Sequence, residues 1–401
     1  MAEPTPPTWR NVPGSVVALG LVSLFMDISS ELVHSLLPLF LVNALAASMV
    51  SVGLIEGIAE ATAAISKVFS GVISDRIGRR KLLAGIGYGL STVTKPLFPL
   101  AGSVGVVLTA RFFDRIGKGI RDAPRDALIA DITPPEVRGA AFGLRQGLDT
   151  VGAFVGPLLA IALMALHEND FRSVFWWAVA PAVVSITLLI FAVREPMGIK
   201  RSEQKGWPIR RADLARMRGA YWLVVGIGIV FTLARFSEAF LVLRGRQAGS
   251  PLTLVPLVMV LMNMVYAAVS TPAGVLSDRI GRREVLMAGL LVLVAADLAL
   301  AFAAGLAGLF FGVGLWGLYM GLSQGLLAAL VADTAPEDLR GTAFGIFNLL
   351  TGITLLGASM IAGLLWDRFG STATFGVGAA FAALAALALA LERHRAGAGK
   401  S

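Results

Sequence analysis

Long apolar runs follow one another along almost the whole chain, and short polar turns separate them. A helix needs about 20 apolar residues to cross the hydrocarbon of a bilayer, and many of these runs reach that length. They lack the alternation of period two that is typical of membrane-spanning strands. Because backbone groups in lipid must be paired within the segment, the runs predict a bundle of membrane-spanning helices. With about 33 residues for a span and its loop, 401 residues predict about twelve spans.

The composition excludes an ordinary soluble protein. The chain is 56% hydrophobic and 15% charged, whereas soluble domains contain about 25% charged residues. Its net charge of +8 comes mostly from short loops beside apolar runs, so we expect no nucleic-acid partner. The absence of cysteine excludes disulfides, thiol catalysis and thiolate metal sites. No cleavable signal peptide is expected, because residues 1–10 are polar and the apolar run from Val16 contains Asp27 and Glu31.

The apolar runs divide into two sets of six. The expected spans are 14–42, 49–73, 81–101, 103–124, 138–166 and 170–193, then 219–243, 251–277, 284–304, 306–333, 338–365 and 370–391. This predicts an N-terminal six-helix bundle over 1–193, a cytoplasmic linker over 194–218 and a C-terminal six-helix bundle over 219–401. The linker is rich in positive charge, and we expect a short surface helix at 212–217.

The distribution of positive charge predicts the topology. With the N-terminus in the cytoplasm, the outer side contains only Arg172, Arg244, Arg246 and Arg368, and most other Lys and Arg residues of the loops lie inside. Both termini are therefore expected to be cytoplasmic. The chain is predicted to be a multi-pass protein of the cell (inner) membrane, embedded in the lipid bilayer, and we expect a monomer.

Two sequence segments occur twice. GVISDRIGRRKLL begins at Gly71 and returns as GVLSDRIGRREVL from Gly274. ALIADITPPEVRGAAFG begins at Ala127 and returns as ALVADTAPEDLRGTAFG from Ala329. In both cases the repeat distance is about half of the chain, which indicates an ancestral six-helix unit used twice.

The repeated charged turn resembles the loop motif of the major facilitator superfamily, which joins the second helix to the third and the eighth to the ninth. The resemblance covers essentially the whole chain. It implies an all-α membrane protein with twelve transmembrane helices in two pseudo-symmetric six-helix bundles. It also implies a gating motif, whose aspartate acts as a latch near the N-terminus of another helix in the outward state. The matching residues are Gly71, Asp75, Arg76, Gly78, Arg79 and Arg80, with Asp278, Arg279 and Arg282 in the second copy. The alternative is a motif that only anchors the topology.

Charged residues inside the spans are expected to be functional or paired, because inserting each one at the bilayer centre costs at least about 2.5–3.5 kcal/mol. Asp27, Glu31 and His34 share one face of span one. In the family resembled here, helices one, four, seven and ten line the central cavity, and three of these four contain charges in this chain; span ten has only Tyr319, Ser323 and Gln324. The candidates for proton coupling or substrate binding are Asp27, Glu31, His34, Glu56, Glu60, Arg111, Asp114, Arg115, Asp149, Arg235 and Glu238. Lys67, Lys118 and Arg121 are candidates for gate or latch partners. The alternative interpretation is that the charges form structural ion pairs.

Asp27 and Arg111 are expected to lie at similar depths. At 1.5 Å per residue, Asp27 is about 20 Å into span one from the cytoplasmic side, and Arg111 is about 12 Å into span four from the outer side. An aspartate that faces an arginine can exchange this partner for a proton. Arg111 also matches the arginine of the family's fourth-helix motif, whereas Asp114 and Arg115 replace the glutamine and glycine that the motif favours.

Span five contains the helix-bend candidates Gly152, Gly156 and Pro157 in GAFVGPLLA. Small residues four apart allow close helix contact, and proline bends a helix. The pattern resembles the fifth-helix motif of proton-driven antiporters, except that Ala160 and Ile161 replace its closing glycine pair. A packing motif of any membrane bundle is the alternative.

These patterns predict a secondary active transporter: a proton-coupled exporter of a small amphipathic molecule that works by rocker-switch alternating access. We expect no enzyme activity and no cofactor, because phosphate-loop, zinc-protease and nucleophile-elbow motifs are absent; uphill transport must then use an ion gradient. The alternative is transport of a metal ion or metal chelate, by Met259, Met262 and Met264 as soft ligands or by Asp27, Glu31 and His34 as hard ones. A membrane-embedded sensor or enzyme is a remote alternative.

Overall fold

A computed structural model describes residues 12–195, 211–336 and 339–398. This part of the chain is built from helices and turns and contains no strand. Its contacts divide it into two compact units. Unit 1 comprises 12–34 and 62–195, and unit 2 comprises 35–61, 211–336 and 339–398.

Eight helices precede the linker, and most of them coincide with the predicted apolar runs. They are α1 (Gly14–Asn43), α2 (Met49–Ile77), α3 (Arg80–Thr94), α4 (Leu97–Leu100), α5 (Val104–Ile132), α6 (Arg138–Leu166), α7 (Phe171–Trp177) and α8 (Val179–Ala192).

The second part of the chain contains seven helices. They are α9 (Arg211–Arg216), α10 (Gly219–Ala234), α11 (Ala239–Gln247), α12 (Leu257–Ile280), α13 (Arg282–Phe302), α14 (Gly305–Thr334) and α15 (Arg340–Ala398). The short helix α9 matches the one expected at 212–217 to within a residue. Residues 196–210 of the predicted linker lie outside the described part.

Nine helical stretches of the described chain are long and apolar enough to cross a membrane. The last of them, Arg340–Ala390, contains two spans, because Gly370 with φ of 83° interrupts the helix. Two more spans are α3 with α4, which is interrupted after Thr94, and α5, which is rich in charge. Together these account for the twelve expected spans, and the prediction of an all-α membrane protein is confirmed.

The largest departure from the expected spans is at the end of α5. The sequence predicts an end at residue 124, but the helix continues to Ile132. The additional turns contain Asp122, Arg125 and Asp126, which end the apolar run without ending the helix. Arg125 lies 3.8 Å from Asp122 one turn away and 3.1 Å from Asp126. Opposite charges three residues apart, such as Asp122 and Arg125, stabilise a helix, so this pair helps α5 to continue beyond the apolar run.

The expected span over 219–243 is interrupted. Residues 235–238 separate α10 from α11, and we call this segment the break. Backbone groups that lose their helical partners at membrane depth must find others. Here the Ser237 backbone N–H donates to Ser359 Oγ at 3.2 Å, and Ser237 Oγ accepts from the Ala239 N–H at 3.2 Å. The break is therefore an ordered part of unit 2.

Unit 1 is packed around α3. One face of α3 meets α5, where a Cβ on Gly87 would lie only 2.6 Å from the Gly117 carbonyl oxygen, and α3 also contacts α8. Only glycine allows two helices to approach so closely. An apolar core is assembled beside this contact, with Leu19, Met26, Tyr88, Leu128 and Leu189 among its buried members.

Unit 2 is packed around an aromatic cluster. The ring of Phe236, in the break, lies 5.3 Å from that of Phe375 and 5.5 Å from that of Trp316. Phe240 and Trp366 extend the cluster with a ring separation of 5.6 Å. Such pairs contribute about 0.5–1.5 kcal/mol each beyond the burial of their area. The cluster thus joins the break to α14 and to the second half of α15.

The segment 35–61 belongs to unit 2 because it packs on α15. A Cβ on Gly57 would lie 2.8 Å from the Leu356 Cα, so α2 and α15 approach closely there. At the start of α2, the Met49 and Val50 N–H groups donate to Asp367 Oδ1 and Oδ2, each at 3.0 Å. A carboxylate at this position satisfies free N–H groups and complements the helix dipole. The predicted division into bundles over 1–193 and 219–401 stays a prediction.

Candidate functional site

The charged side chains of unit 1 form a buried ionic network on α1, α3, α5 and α6. Its most enclosed pair joins Lys95 Nζ to Asp114 Oδ1 at 3.0 Å, with side chains only 1% and 5% exposed. Lys95 Nζ also donates to Ser30 Oγ at 3.1 Å. Sequence reasoning missed Lys95, although a single lysine in the apolar run before Pro96 is a signal of the same kind as the chosen candidates. It lies where the chain leaves α3, and it neutralises the acid that departs from the fourth-helix motif.

Arg111 and Arg115 lie on α5 on either side of Asp114 and are buried. The charges that act most strongly on Asp114 are those of Lys95, Arg115, Arg111 and Arg121. One buried acid is therefore surrounded by several cations. This end of the network carries an excess of positive charge within unit 1.

The other end of the network joins α5 to α6. Arg145 Nη1 lies 2.7 Å from Asp149 Oδ2 on its own helix and 3.6 Å from Asp126 Oδ1 on α5. Arg125 Nε donates to Asp126 Oδ1 at 3.1 Å. Asp149 was a sequence candidate, and the structure gives it Arg145 as a direct partner.

Neutral hydrogen-bonding groups attach the network to α1 and α3. Arg125 Nη1 donates to Ser23 Oγ at 3.0 Å, and Arg121 Nη1 donates to Ser91 Oγ at 2.7 Å. The Arg121 guanidinium also stacks over the Tyr88 ring at 4.9 Å. Serine and tyrosine in apolar runs give no sequence signal of such a role, because both residues are common in membrane helices.

Two of the predicted motifs meet in space. The glycines of α6 pack against α1 at the positions of its acids: a Cβ on Gly152 would lie 2.8 Å from the Asp27 Cβ, and one on Gly156 would lie 2.7 Å from the Glu31 Cβ. Pro157 follows inside α6. The backbone of α6 therefore abuts the helix that bears Asp27 and Glu31, which no sequence pattern indicated.

The charges around the two acids of α1 differ. Asp27 is acted on most strongly by Asp149, Arg121, Lys118 and Arg125. Glu31 is acted on by His34, whose Nδ1 lies 3.5 Å from Glu31 Oε2, and by Lys118 and Arg115.

The expected pairing of Asp27 with Arg111 depended on depth. Because α5 continues to Ile132, its middle lies near Lys118 and Arg111 lies closer to its beginning. Arg111 is not among the charges that act most strongly on Asp27. The pairing of Asp27 with Arg111 stays a prediction. The cations that act most strongly on Asp27 are instead Arg121, Lys118 and Arg125.

The two copies of the gating motif adopt similar turns. Gly78 and Gly281 have φ of 65° and 103°, a conformation that glycine adopts without strain. After the first turn, Arg80 Nε lies 2.8 Å from Asp131 Oδ2, and after the second, Arg282 forms an ion pair with Asp333. Both aspartates belong to the second repeated segment. In each unit, therefore, the two repeated segments contact each other.

The remaining gating residues lie at the ends of helices. Gly71 is within α2, and Arg76 and Arg79 are exposed, as are Asp278 and Arg279. The side chain of Asp75 lies outside the described part of the structure.

Unit 2 contains the other sequence candidates. Glu56 and Glu60 lie on the segment of α2 that packs with α15, and Glu56 is buried. Arg235 and Glu238 flank the break, and Arg235 forms a hydrogen bond with the Tyr319 side chain. These four candidates therefore belong to unit 2, and Arg235 contacts Tyr319 of the same unit.

The metal-ligand expectations are not supported. Met259 and Met262 are buried, whereas Met264 is 51% exposed, so the three methionines differ in their surroundings. Among the described residues, no group of three or more His, Asp or Glu side chains has the arrangement of a metal site. This applies to Asp27, Glu31 and His34 as well, of which only Glu31 and His34 form a pair.

Comparisons with known proteins agree on one family. The sequence profile of the Major Facilitator Superfamily matches residues 19–261 and 239–401. An uncharacterized MFS-type transporter of Methanocaldococcus jannaschii is 32% identical over 95% of each chain. Multidrug resistance protein MdtH of Yersinia pestis is 24% identical over 86% of this chain and 84% of its own. The solved structure of nucleoside transporter NupG is 10% identical, with a TM-score of 0.78 over 94% of this chain and 99% of its own.

Proposed function

Because this chain belongs to the Major Facilitator Superfamily and is a membrane transporter, we propose that it exports a small amphipathic molecule in exchange for protons. The exchange proceeds by alternating access, in which the two six-helix halves open the substrate path to one side of the membrane at a time. The similarity to a protein named for multidrug resistance supports export. The absence of a phosphate-binding loop supports an ion gradient as the energy source.

One observation carries the proton coupling: Asp27 and Glu31 lie on α1 against Gly152 and Gly156, among cationic side chains of the ionic network. A carboxylate that exchanges a cationic partner for a proton as its surroundings rearrange can couple protonation to conformation. We assign the proton to Asp27 and Glu31, with Lys118, Arg121 and Arg125 as their cationic partners. Arg111, Arg115 and the Lys95–Asp114 pair are assigned to holding the network and receiving the polar part of the substrate.

The coupling is tested by proton release. Purified protein is first screened by thermal shift against drugs, metals, siderophores and metabolites. The hits are then used to measure substrate-induced proton release in detergent and flux in proteoliposomes with an imposed pH gradient. We expect Asp27→Asn and Glu31→Gln to lose proton release and proton-driven flux but to retain counterflow exchange of substrate. Glu136→Gln, at an exposed acid of the same unit, is the matched control and should behave as wild type.

Two results would contradict this assignment. Unchanged proton release in both variants would move the proton site, with Glu56, Glu60 and Asp149 as the next candidates. Hits that bind but show no flux under any pH gradient would contradict proton-coupled transport itself and would favour a sensor.

Topology is part of the proposal: a monomer in the cell (inner) membrane, with both termini in the cytoplasm. Because the chain has no cysteine, single introduced cysteines report sidedness directly. We expect Ser202→Cys to be labelled by a membrane-impermeant maleimide only from the cytoplasm, and Asn169→Cys only from outside. The reverse pattern, or equal labelling from both sides, would contradict two six-helix halves joined by a cytoplasmic linker.

A further inference from the structure

An acid that sequence analysis did not select lies in the last third of α13, five residues before the helix ends at Phe302. Asp297 is completely buried, and neither Oδ1 nor Oδ2 accepts a hydrogen bond from any residue that the structure describes. Buried polar side chains nearly always have a hydrogen-bond partner, so an isolated carboxyl at this depth calls for an explanation. Its position in a membrane-spanning helix makes a functional role the first hypothesis.

The walls around Asp297 are close and apolar. Gly378 of α15 faces it so closely that a Cβ at this position would lie 2.7 Å from Asp297 Oδ2. The same Cβ would lie 3.1 Å from Cε1 of Phe236, which places the Phe236 ring beside the carboxyl. Phe236 in turn packs on Phe375 and Trp316. A metal cation with its several oxygen ligands needs more room and more oxygen atoms than this packing provides.

The Asp297 carboxyl forms no hydrogen bond or ion pair with any residue that the structure describes. The neighbouring elements contain other titratable groups: Tyr319 and Asp333 on α14, Arg235 and Glu238 at the break, Arg244 and Arg246 on α11, Tyr266, Asp278 and Arg279 on α12, and Asp367 and Arg368 on α15. Arg244 reaches α13, but its guanidinium donates to the backbone carbonyls of Leu300 and Ala303. None of these titratable groups has a hydrogen bond to the Asp297 oxygens. The second half of α15 has no charged residue between Ser371 and Leu391. The charges of α13 itself, at Arg282–Glu284, are about 20 Å away along the helix.

We propose that Asp297 is a proton-binding residue of unit 2 and that movement of the break controls when its proton exchanges. An ionised carboxylate without a partner costs several kcal/mol in such surroundings, whereas the neutral acid costs far less. A proton is also the one cation that needs no additional volume. In the arrangement described here, Asp297 therefore holds its proton.

The break supplies the route for the proton. Phe236 belongs to this non-helical segment, and such segments at membrane depth adjust more easily than a continuous helix. When the Phe236 ring moves aside, water reaches the carboxyl, which transfers its proton to that water and becomes a carboxylate.

The indole N–H of Trp316 is a second buried polar group for which the structure describes no hydrogen-bond partner. Trp316 Nε1 is buried beside Phe236 and donates to no described residue. An indole N–H is a donor only, so it is suited to the carboxylate that forms when the break opens. One buried donor and one buried acceptor adjoin the same Phe236 ring, and in the rearranged state the Trp316 N–H can donate to the carboxylate.

This inference deepens the proposed function, because exchange of protons with a second site would accompany transport, but protonation of Asp297 does not depend on it. The test is infrared difference spectroscopy on purified protein in lipid, without substrate. We expect wild type near pH 7 to show a carboxylic-acid C=O band that Asp297→Asn removes. Glu284→Gln, at an exposed acid of the same helix, is the matched control and should retain the band.

Control of proton exchange by the break is tested by a separate measurement, the rate of hydrogen–deuterium exchange at the acid. Transfer into heavy water shifts the carboxylic-acid band as the acid proton is replaced, and the rate of this shift reports access of water. We expect Phe236→Ala to accelerate the shift severalfold. Phe311→Ala, at a phenylalanine of α14 that is 64% exposed, should leave the rate unchanged. An equal rate in wild type and Phe236→Ala would contradict control by the break.

The outcomes separate this inference from the proposed function. Absence of a carboxylic-acid band in wild type overturns the proton site without any variant, so a failure of Asp297→Asn to fold does not leave the question open. A band of unchanged amplitude in folded Asp297→Asn also overturns it. Loss of the band in Asp297→Asn together with absence of proton-driven flux would support the site and contradict the proposed function.

Discussion

The helices α5 and α14 each end within a copy of the same repeated segment, yet they are stabilised by different chemistry. α5 buries Arg111, Asp114 and Arg115 and pairs them with other charges, whereas α14 buries Trp316, Tyr319 and Ser323 among aromatic rings. Duplication therefore preserved the backbone plan and not the means of stabilisation. Each charge of the ionic network depends on its partners, so substitutions there should be strongly non-additive. Aromatic contacts are more nearly independent.

The largest contrast is expected at the two gating motifs. Asp75→Asn should severely reduce transport while expression and substrate binding remain, because the charge serves one conformational state. Asp278→Asn should reduce transport less, because the buried charges of α5 at Arg111, Asp114 and Arg115 have no counterpart on α14. Transport rates in proteoliposomes, compared at equal protein content, measure the difference. Equal rates in both variants and wild type would reduce the motif to a topology anchor.

The Lys95–Asp114 pair tests how strongly the ionic network depends on its members. Lys95→Met should destabilise unit 1 by about 3–5 kcal/mol, because it leaves Asp114 buried without its lysine. The double variant Lys95→Met with Asp114→Leu should recover most of this loss, since it removes both charges. Thermal unfolding in detergent gives the comparison. A double variant no more stable than Lys95→Met would mean that the remaining arginines need Asp114 more than Lys95 does.

Each unit contains an aspartate in close contact with a glycine of a neighbouring helix, and these two contacts can be compared directly. Gly152→Ala beside Asp27 and Gly378→Ala beside Asp297 should each destabilise the protein by about 1–3 kcal/mol, because the added methyl group meets packed atoms. The matched controls are Gly147→Ala on α6 and Gly376→Ala on α15, where a Cβ would meet nothing within 4 Å. These should be neutral or slightly stabilising, by up to about 1 kcal/mol. Equal melting temperatures for a test variant and its control would contradict the close contact.

A smaller contrast separates two helix-capping aspartates. Asp367 caps α2 from a distant part of the chain, whereas Asp170 caps α7, which begins at the next residue. Asp367→Ala should cost about 1 kcal/mol, and Asp170→Ala about 0.5 kcal/mol, because only the first also releases contacts between distant segments. Chemical denaturation followed by circular dichroism measures both. A larger loss of stability for Asp170→Ala than for Asp367→Ala would show that the local cap contributes more than the cap from a distant segment.

The smallest expected effect is a pH dependence at Asp170, which lies just before the span that begins at Phe171. The Ser173 hydroxyl, which donates to Asp170 Oδ2 at 2.5 Å, lowers the pKa of this carboxyl below its usual range. A lowered folded-state pKa stabilises the protein above the unfolded-state pKa, and this contribution is lost as the pH falls through the folded value. The difference in melting temperature between wild type and Asp170→Asn should therefore shrink between pH 6 and about pH 3. A constant difference over this range would contradict the shift.

The sequence predicted most spans to within a few residues, because a bilayer demands long apolar runs and the chain provides them. It was wrong about the end of α5, where Asp122, Arg125 and Asp126 end the apolar run but stabilise the helix by pairing. It also missed the break at 235–238, since the apolar run continues across it and only tertiary hydrogen bonds to Ser359 reveal it.

The sequence predicted which helix faces carry the charged residues of the candidate site, but not which residues of other helices they contact. Charges spaced by three and four residues identified the faces of α1 and α5, and small residues identified the contact face of α6. Lys95 and Asp297 were missed because each is a single charge in its apolar run, without the spacing that marks a stripe. Partners on other helices are determined by tertiary packing, which periodicity along one helix does not encode.

The contact of α2 with α15 has a consequence for biosynthesis. The Val50 N–H and its acceptor Asp367 are 317 residues apart in the chain. At about 5–20 residues per second, the ribosome needs about 15–60 s to supply that acceptor after Val50 has been made. Throughout this interval the start of α2 lacks the carboxylate that caps it and the face of α15 on which it packs. The segment 35–61, although among the first to enter the membrane, is therefore among the last to acquire its native neighbours.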